Sequence, residues 1–157
     1  MRGCLCYNIY MDIDGIGGLL AFVLGWLLAQ TGKLIGDMVS LKRPLTRREV
    51  LNCFVRSGGM PSGHTASFVA LITFFAIKNG PFANITVLAL ATGIIVIYDA
   101  VNVRYAVGEQ GKMLNIMAME QNLKKRRVKV VEGHTVPQAI VGGLIGLMIG
   151  LITGSVL

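Results

Sequence analysis

The chain holds two histidines in 157 residues, and each stands beside an uncharged run. His64 follows Pro61, Ser62 and Gly63 in the stretch GGMPSGHTASF at 58–68, and His134 lies in GHT at 133–135. Two imidazoles can divide a phosphoryl transfer: one attacks phosphorus, and the other protonates the leaving oxygen. Lys33, Arg43 and Arg104 are cations of the kind that bind phosphate and offset the charge that develops during transfer. Pro61 suits the start of a helix, where the backbone N–H groups of Ser62 and Gly63 can point outward as an anion site. The sequence shows no carboxylate cluster fit for a metal. The chemistry on offer is therefore metal-independent and needs no cofactor.

Each of these residues also has a plainer reading. A histidine at a helix start is often only a cap, and a basic loop beside a membrane is often only attraction to anionic lipid. What favours chemistry is convergence, and convergence depends on the elements that carry the residues.

Four uncharged runs set those elements. They cover 15–32, 57–77, 79–98 and 133–157, with lengths of 18, 21, 20 and 25 residues, two of them interrupted by a histidine. A membrane-spanning helix needs about 20 mostly apolar residues. The chain is 54% hydrophobic, and the runs are apolar nearly all round rather than on one stripe, which argues against a soluble helical bundle. The sequence predicts an all-α, polytopic membrane bundle in one domain over 1–157. Its spans are expected at about 15–31, 61–77, 84–103 and 136–157. No cleavable signal peptide is evident, since the first run follows Asp12 and Asp14 rather than a basic segment. Cys4, Cys6 and Cys53 form no CxxC pair, so neither a disulfide framework nor a metal site is expected.

The net charge is +7, and thirteen of the fifteen cations fall between spans one and two or between spans three and four. That bias places both loops in the cytoplasm and both termini outside a cell membrane. It also puts Lys33, His64, Asp99, Arg104 and His134 at one membrane face. Ionisable groups at the edge of a span are functional candidates.

Between the spans, residues 1–14 read as a polar lead, with Met11 as a second possible start. Residues 33–57 read as a basic loop with a short interfacial helix around REVLNCFV, and Asn79–Gly80–Pro81 as a turn. Residues 108–128 carry Met113, Leu114, Ile116, Met117 and Met119 at roughly helical spacing. They form either an amphipathic helix on the membrane surface or a solvated helix packed on the loops. VKVVEG at 128–133 reads as a short extended piece. Gly142, Gly146, Gly150 and Gly154 form a GxxxG ladder, a flat face for another helix of the same chain or for a second copy in a homo-oligomer.

Three stretches carry a family resemblance: GGMPSGHTA at 58–66, YDAVNVRYAVGEQGKMLN at 98–115 and GHT at 133–135. Together they resemble the divergent branch of the type 2 phosphatidic acid phosphatase superfamily, related to vanadium haloperoxidases. The likeness runs from about residue 15 to the end. Members of that superfamily carry K-x6-RP, PSGH and SR-x5-H-x3-D motifs and dephosphorylate lipid phosphates through a phosphohistidine, without a metal. The resemblance implies His134 as nucleophile, His64 as general acid, Ser62 and Gly63 as the phosphate-binding turn, and Arg43 with Pro44 as the RP pair. It implies a lipid phosphate as substrate and the membrane, not a nucleic acid, as partner.

This chain departs from the pattern at three motif positions. The first-motif lysine falls at Gly36, so Lys33 or Lys42 must substitute. The third-motif arginine falls at Val128, leaving Arg104, or Arg126 or Arg127. The third-motif aspartate falls at Gln138, which can hydrogen-bond but supplies no charge, so Asp99 or Glu109 would have to supply it. Four spans also replace the six common among these phosphatases. Two functions follow as alternatives: a phosphatase of lipid phosphates, or a protein that binds or transports anionic lipid with the same basic cup. A purely structural scaffold would use neither histidine.

Overall fold

A computed structural model describes residues 2–55, 58–121 and 127–157. Among them the regular structure is helical throughout. The elements are α1 (Arg2–Leu41), α2 (Arg47–Val55), α3 (Gly63–Lys78), α4 (Asn84–Tyr98), a π-helical turn (Asp99–Val103), α5 (Arg104–Glu120) and α6 (Val136–Val156). Among the described residues, three stretches are long and apolar enough to cross a membrane: Asp14–Leu41, Asn84–Glu120 and Val136–Val156. α3, in the place of the second expected span, is apolar but only 16 residues long.

α1 is longer than the expected first span. One helix of 40 residues takes in the polar lead and the first part of the expected basic loop, which continues as the connection 42–46 before α2. At 1.5 Å per residue that is about 60 Å, twice the roughly 30 Å of a bilayer's hydrocarbon core. Charge ends an apolar run but does not end a helix, and the first proline is Pro44. α1 stops where Lys42 turns left-handed at φ 51°. The helix expected around REVLNCFV is α2. It opens with a capping box in which Thr46 Oγ1 accepts from the Glu49 N–H and Glu49 Oε2 accepts from the Thr46 N–H.

The third span and the expected surface helix prove to be continuous. Asn84–Glu120 runs for 37 residues, with the π-turn inside it. Of the stretch 108–128, residues up to Glu120 are helical, and 122–126 lie outside the described residues. Asn115 clamps the backbone of Val128 in both directions, at 3.0 and 2.9 Å, so α5 packs on the segment that follows it. Its Met113, Leu114, Ile116, Met117 and Met119 remain exposed. Residues 128–133 are irregular. Lys124, Lys125, Arg126 and Arg56 lie outside the described residues.

α3 is the hub, packed against α1, α4 and α6. Glycines let its neighbours approach closely. A Cβ on Gly146 would strike the Ala66 carbonyl, and one on Gly150 would sit 2.7 Å from the Ala70 carbonyl. On the opposite side a Cβ on Gly25 would lie 2.7 Å from the same Ala66 carbonyl. The glycine ladder of α6 is therefore filled by α3 of its own chain. Of the two partners expected for Gly142, Gly146, Gly150 and Gly154, the structure shows the helix of the same chain, and that face is buried within the protein. Small residues such as Ala21, Ala66 and Ala70 make up much of the interior, while Leu19, Leu88, Ile95 and Leu144 point outward, each more than half exposed. Close backbone packing inside and large apolar side chains outside is how helices associate in lipid.

Candidate functional site

α3 begins where the chain turns sharply. Gly58 and Gly59 adopt φ values of +90° and +81°, the left-handed region where a side chain is strained. The Met60–Pro61 bond is cis. Ser62 then caps α3, its Oγ accepting from the Thr65 N–H at 3.4 Å and from the Thr65 hydroxyl at 3.1 Å. The Ser62 N–H donates to the Gln138 carbonyl at 3.0 Å, tying α3 to α6. His64 is the second residue of the helix.

His134 enters from the other side. Its backbone N–H donates to the Ala100 carbonyl at 3.0 Å, and its ring is buried, with 2% of the residue exposed. Gly133, just before it, lies against the backbone of Tyr105, where no Cβ fits. The Nδ1 atom of His134 lies 3.0 Å from the Gly59 carbonyl and 3.4 Å from Gln138 Oε1. A carbonyl only accepts, so Nδ1 carries the proton and Nε2 is left with its lone pair. Gln138 Oε1 is fixed as an acceptor because it also takes the Thr135 N–H, at 3.1 Å, in the capping box of α6.

The two imidazoles meet with ring centroids 6.0 Å apart at 67°. Both line a cavity of about 420 Å³ together with Lys33, Arg104 and Gly63. Its remaining wall is largely aromatic, from Phe22, Trp26, Phe54 and Phe68. Burial pushes the His134 imidazole below its ordinary value, and the nearby Lys33 cation pushes the same way. The hydrogen bond to Gln138 offsets part of this. His134 is thus held neutral at neutral pH.

The π-turn explains how Arg104 arrives. The Arg104 N–H bonds to the Asp99 carbonyl five residues back. That spacing lays the two side chains together, and Arg104 Nε donates to Asp99 Oδ2 at 2.6 Å. In an α-helix, residues five apart diverge by about 140°. The contact uses Nε and leaves the two terminal nitrogens of the fork outside it.

The structure thus brings Lys33, Gly63, His64, Arg104 and His134 around one cavity, and sets Gln138 against the His134 ring. It does not bring the other expected residues there. Ser62 is fully buried, with both its N–H and hydroxyl engaged elsewhere. Arg43 is exposed and forms a two-point pair with Glu49, at 2.7 and 3.1 Å. That guanidinium, with help from Thr46, holds the Glu49 carboxyl at about 2. Glu109 pairs with Lys112 at 2.8 Å and lines a separate cavity of about 180 Å³. Asp99 reaches Arg104 rather than His134. Lys42 and Arg127 are exposed. Sequence reasoning missed the Gly59 carbonyl, although two successive glycines before a proline were a signal for unusual backbone. It also missed Gln30 and Ser67, which line the cavity. Gln30 could have been found as an amide inside an apolar run.

Fold and site together define a helical membrane protein whose paired histidines and two cations share one cavity. The chain belongs to the Divergent PAP2 family, whose profile matches residues 17–149. It is also similar to the uncharacterized membrane protein YuiD of Bacillus subtilis (strain 168), with 28% identity over 111 residues, covering 61% of this chain and 70% of that protein. No solved structure gives a significant match.

Proposed function

We propose that the chain is a membrane-embedded, metal-independent phosphatase that hydrolyses a phosphomonoester or pyrophosphate of a lipid. One observation carries this reading: His64 and His134 face each other at 6.0 Å in a cavity that also holds Lys33 and Arg104. Family membership supports it.

The steps follow from the geometry. Lys33 and Arg104 take the phosphoryl oxygens. Nε2 of neutral His134 attacks phosphorus, and the bond from phosphorus to the lipid oxygen breaks. His64, whose protonated form the bound phosphate favours, gives its proton to the departing alkoxide. The positive charge left on the phosphorylated His134 ring is met at Nδ1–H by the Gly59 carbonyl, with Gln138 Oε1 beside it. Water then gives a proton to His64 and attacks phosphorus, releasing phosphate and restoring both rings. In this reading a carbonyl dipole and an amide do the orienting that a carboxylate would otherwise do. The expected cost is a weaker nucleophile, since neither carries full charge.

The loop cations support a cell-membrane location with both termini outside and the cavity on the cytoplasmic side. The test is phosphate release from a panel of lipid phosphates by detergent-purified protein in EDTA, beside His134→Ala and His64→Ala. Release lost in both variants is expected.

A second reading has its own observation. No carboxylate contacts the His134 ring among the described residues, so the cup could bind or carry an anionic lipid without turnover. That reading requires His134→Ala to keep its lipid affinity and requires the wild type to release no phosphate.

A further inference from the structure

The cavity changes character along its depth. On α1, Lys33, Gln30, Trp26 and Phe22 recur at intervals of three or four residues, so one face of the helix lines it from the cation inward. On α3, Ser67 follows His64 by three residues on the same face. Gln30 and Ser67 therefore lie one helical turn inside Lys33 and His64. Beyond them stand Phe22 and Phe68, edge to face at 5.4 Å.

Both polar residues are almost wholly buried, at 3% and 1% exposure. Among the described residues, neither Gln30 Oε1 nor Ser67 Oγ has a hydrogen-bond partner. The Gln30 Nε2 makes only a long contact, 3.5 Å to the Phe54 carbonyl. The Ser67 case is unusual within this chain. A hydroxyl on an apolar helix can satisfy itself on the carbonyl four residues back. Thr31, Thr92, Thr153 and Ser155 all do so, at 2.7 to 2.9 Å. Ser67 does not, although its helix offers the same carbonyl. A buried acceptor and a buried hydroxyl without partners destabilise a fold unless something else meets them.

We propose that Gln30 and Ser67 form a polar subsite that hydrogen-bonds the lipid backbone, at an ester, hydroxyl or amide group within a few bonds of the phosphate. The inference rests on the lipid phosphatase reading and narrows its substrate. A glycerol-based lipid phosphate carries such oxygens where the subsite lies, with its chains running on along the aromatic wall. A polyprenyl monophosphate carries none and would leave both buried atoms unpaired. Sites built to hydrogen-bond a substrate reject analogues that lack the group, because the site's own atoms are then stranded.

The chain has one tryptophan, Trp26, and it lines this cavity, so its emission reports occupancy without turnover. The full chain in detergent is titrated with dioleoyl phosphatidic acid and with a polyprenyl monophosphate, and phosphate release from each is measured. Wild type is compared with Ser67→Ala and Gln30→Met, which keep the side-chain volumes close. The wild type is expected to favour phosphatidic acid about tenfold, and each variant to cut that ratio roughly threefold or more. No preference in the wild type, or a ratio that neither variant moves, overturns the subsite and leaves the phosphatase reading standing. Absence of release from both lipids, with Trp26 still reporting the preference and the variants erasing it, overturns the phosphatase reading and keeps the subsite. No Trp26 response to either lipid, with no release from either, overturns the subsite.

Discussion

The Nδ1 atom of His134 donates to the Gly59 carbonyl at 3.0 Å, across 75 residues of chain. This bond sets the tautomer of the ring, and its acceptor belongs to a glycine held left-handed at φ +81°. A side chain there costs about 1–2 kcal/mol of backbone strain. Gly59→Ala is expected to lower the melting temperature by several degrees and to slow phosphate release by tenfold or more. Unchanged release in a folded Gly59→Ala protein would mean that the carbonyl does not orient the nucleophile.

The pH dependence has a defined direction. Burial and Lys33 hold His134 below its ordinary range, so the acid limb of kcat/KM should fall below pH 6.5. Lys33→Met removes a cation that depresses the imidazole, and should move that limb to higher pH as well as raise KM. A limb that stays in place would remove Lys33 from the site's electrostatics. Stability follows the same linkage. The folded imidazole has the lower pKa, so the unfolded chain binds more protons as pH drops below about 6.5, and the melting temperature should fall there.

The two arginines should separate sharply. Arg104 lines the cavity and is aimed by Asp99, whereas Arg43 is engaged by Glu49 on the surface. Arg104→Lys is expected to lose about 10²-fold in kcat, the usual scale for one donor to a developing charge. Asp99→Asn should lose less, through a looser Arg104. Arg43→Ala should stay within about twofold, as surface ion pairs contribute little. A large loss in Arg43→Ala would mean that the α1–α2 connection closes over the cavity when substrate binds.

Gly146 reports on the ladder. A Cβ there meets the Ala66 carbonyl and lies 2.9 Å from Val69 Cβ, so Gly146→Val should destabilise the fold by about 1–3 kcal/mol. Thermal unfolding in detergent reads the loss. An unchanged melting temperature with a shifted solution mass would show that the ladder joins two chains.

Much of this protein is legible in its sequence, because lipid imposes long apolar runs and leaves few polar residues to place. The four runs mark α1, α3, α4 and α6, and the two histidines do share a cavity. What sequence missed has physical reasons. The ends of α1 are invisible because helices continue through charge until proline or a left-handed residue stops them. The π-turn is one extra residue's spacing and has no composition of its own, yet it decides that Asp99 holds Arg104. Ser62 looked like part of an anion site because a helix starting at Pro61 can leave the Ser62 N–H pointing outward. Its N–H and hydroxyl are instead bonded within the protein, to the Gln138 carbonyl and to Thr65. The partner of His134 escaped notice because it is a backbone carbonyl, which every residue has and no motif marks.

The direct test is to look for the covalent intermediate. Wild type, mixed in EDTA with a lipid phosphate that it hydrolyses, is quenched in alkali and its peptides are analysed by mass spectrometry. A phosphoryl group on the peptide that holds His134, absent in His134→Ala, is the expected result. Phosphate release with no phosphohistidine, or release that persists in His134→Ala, would contradict the two-histidine mechanism.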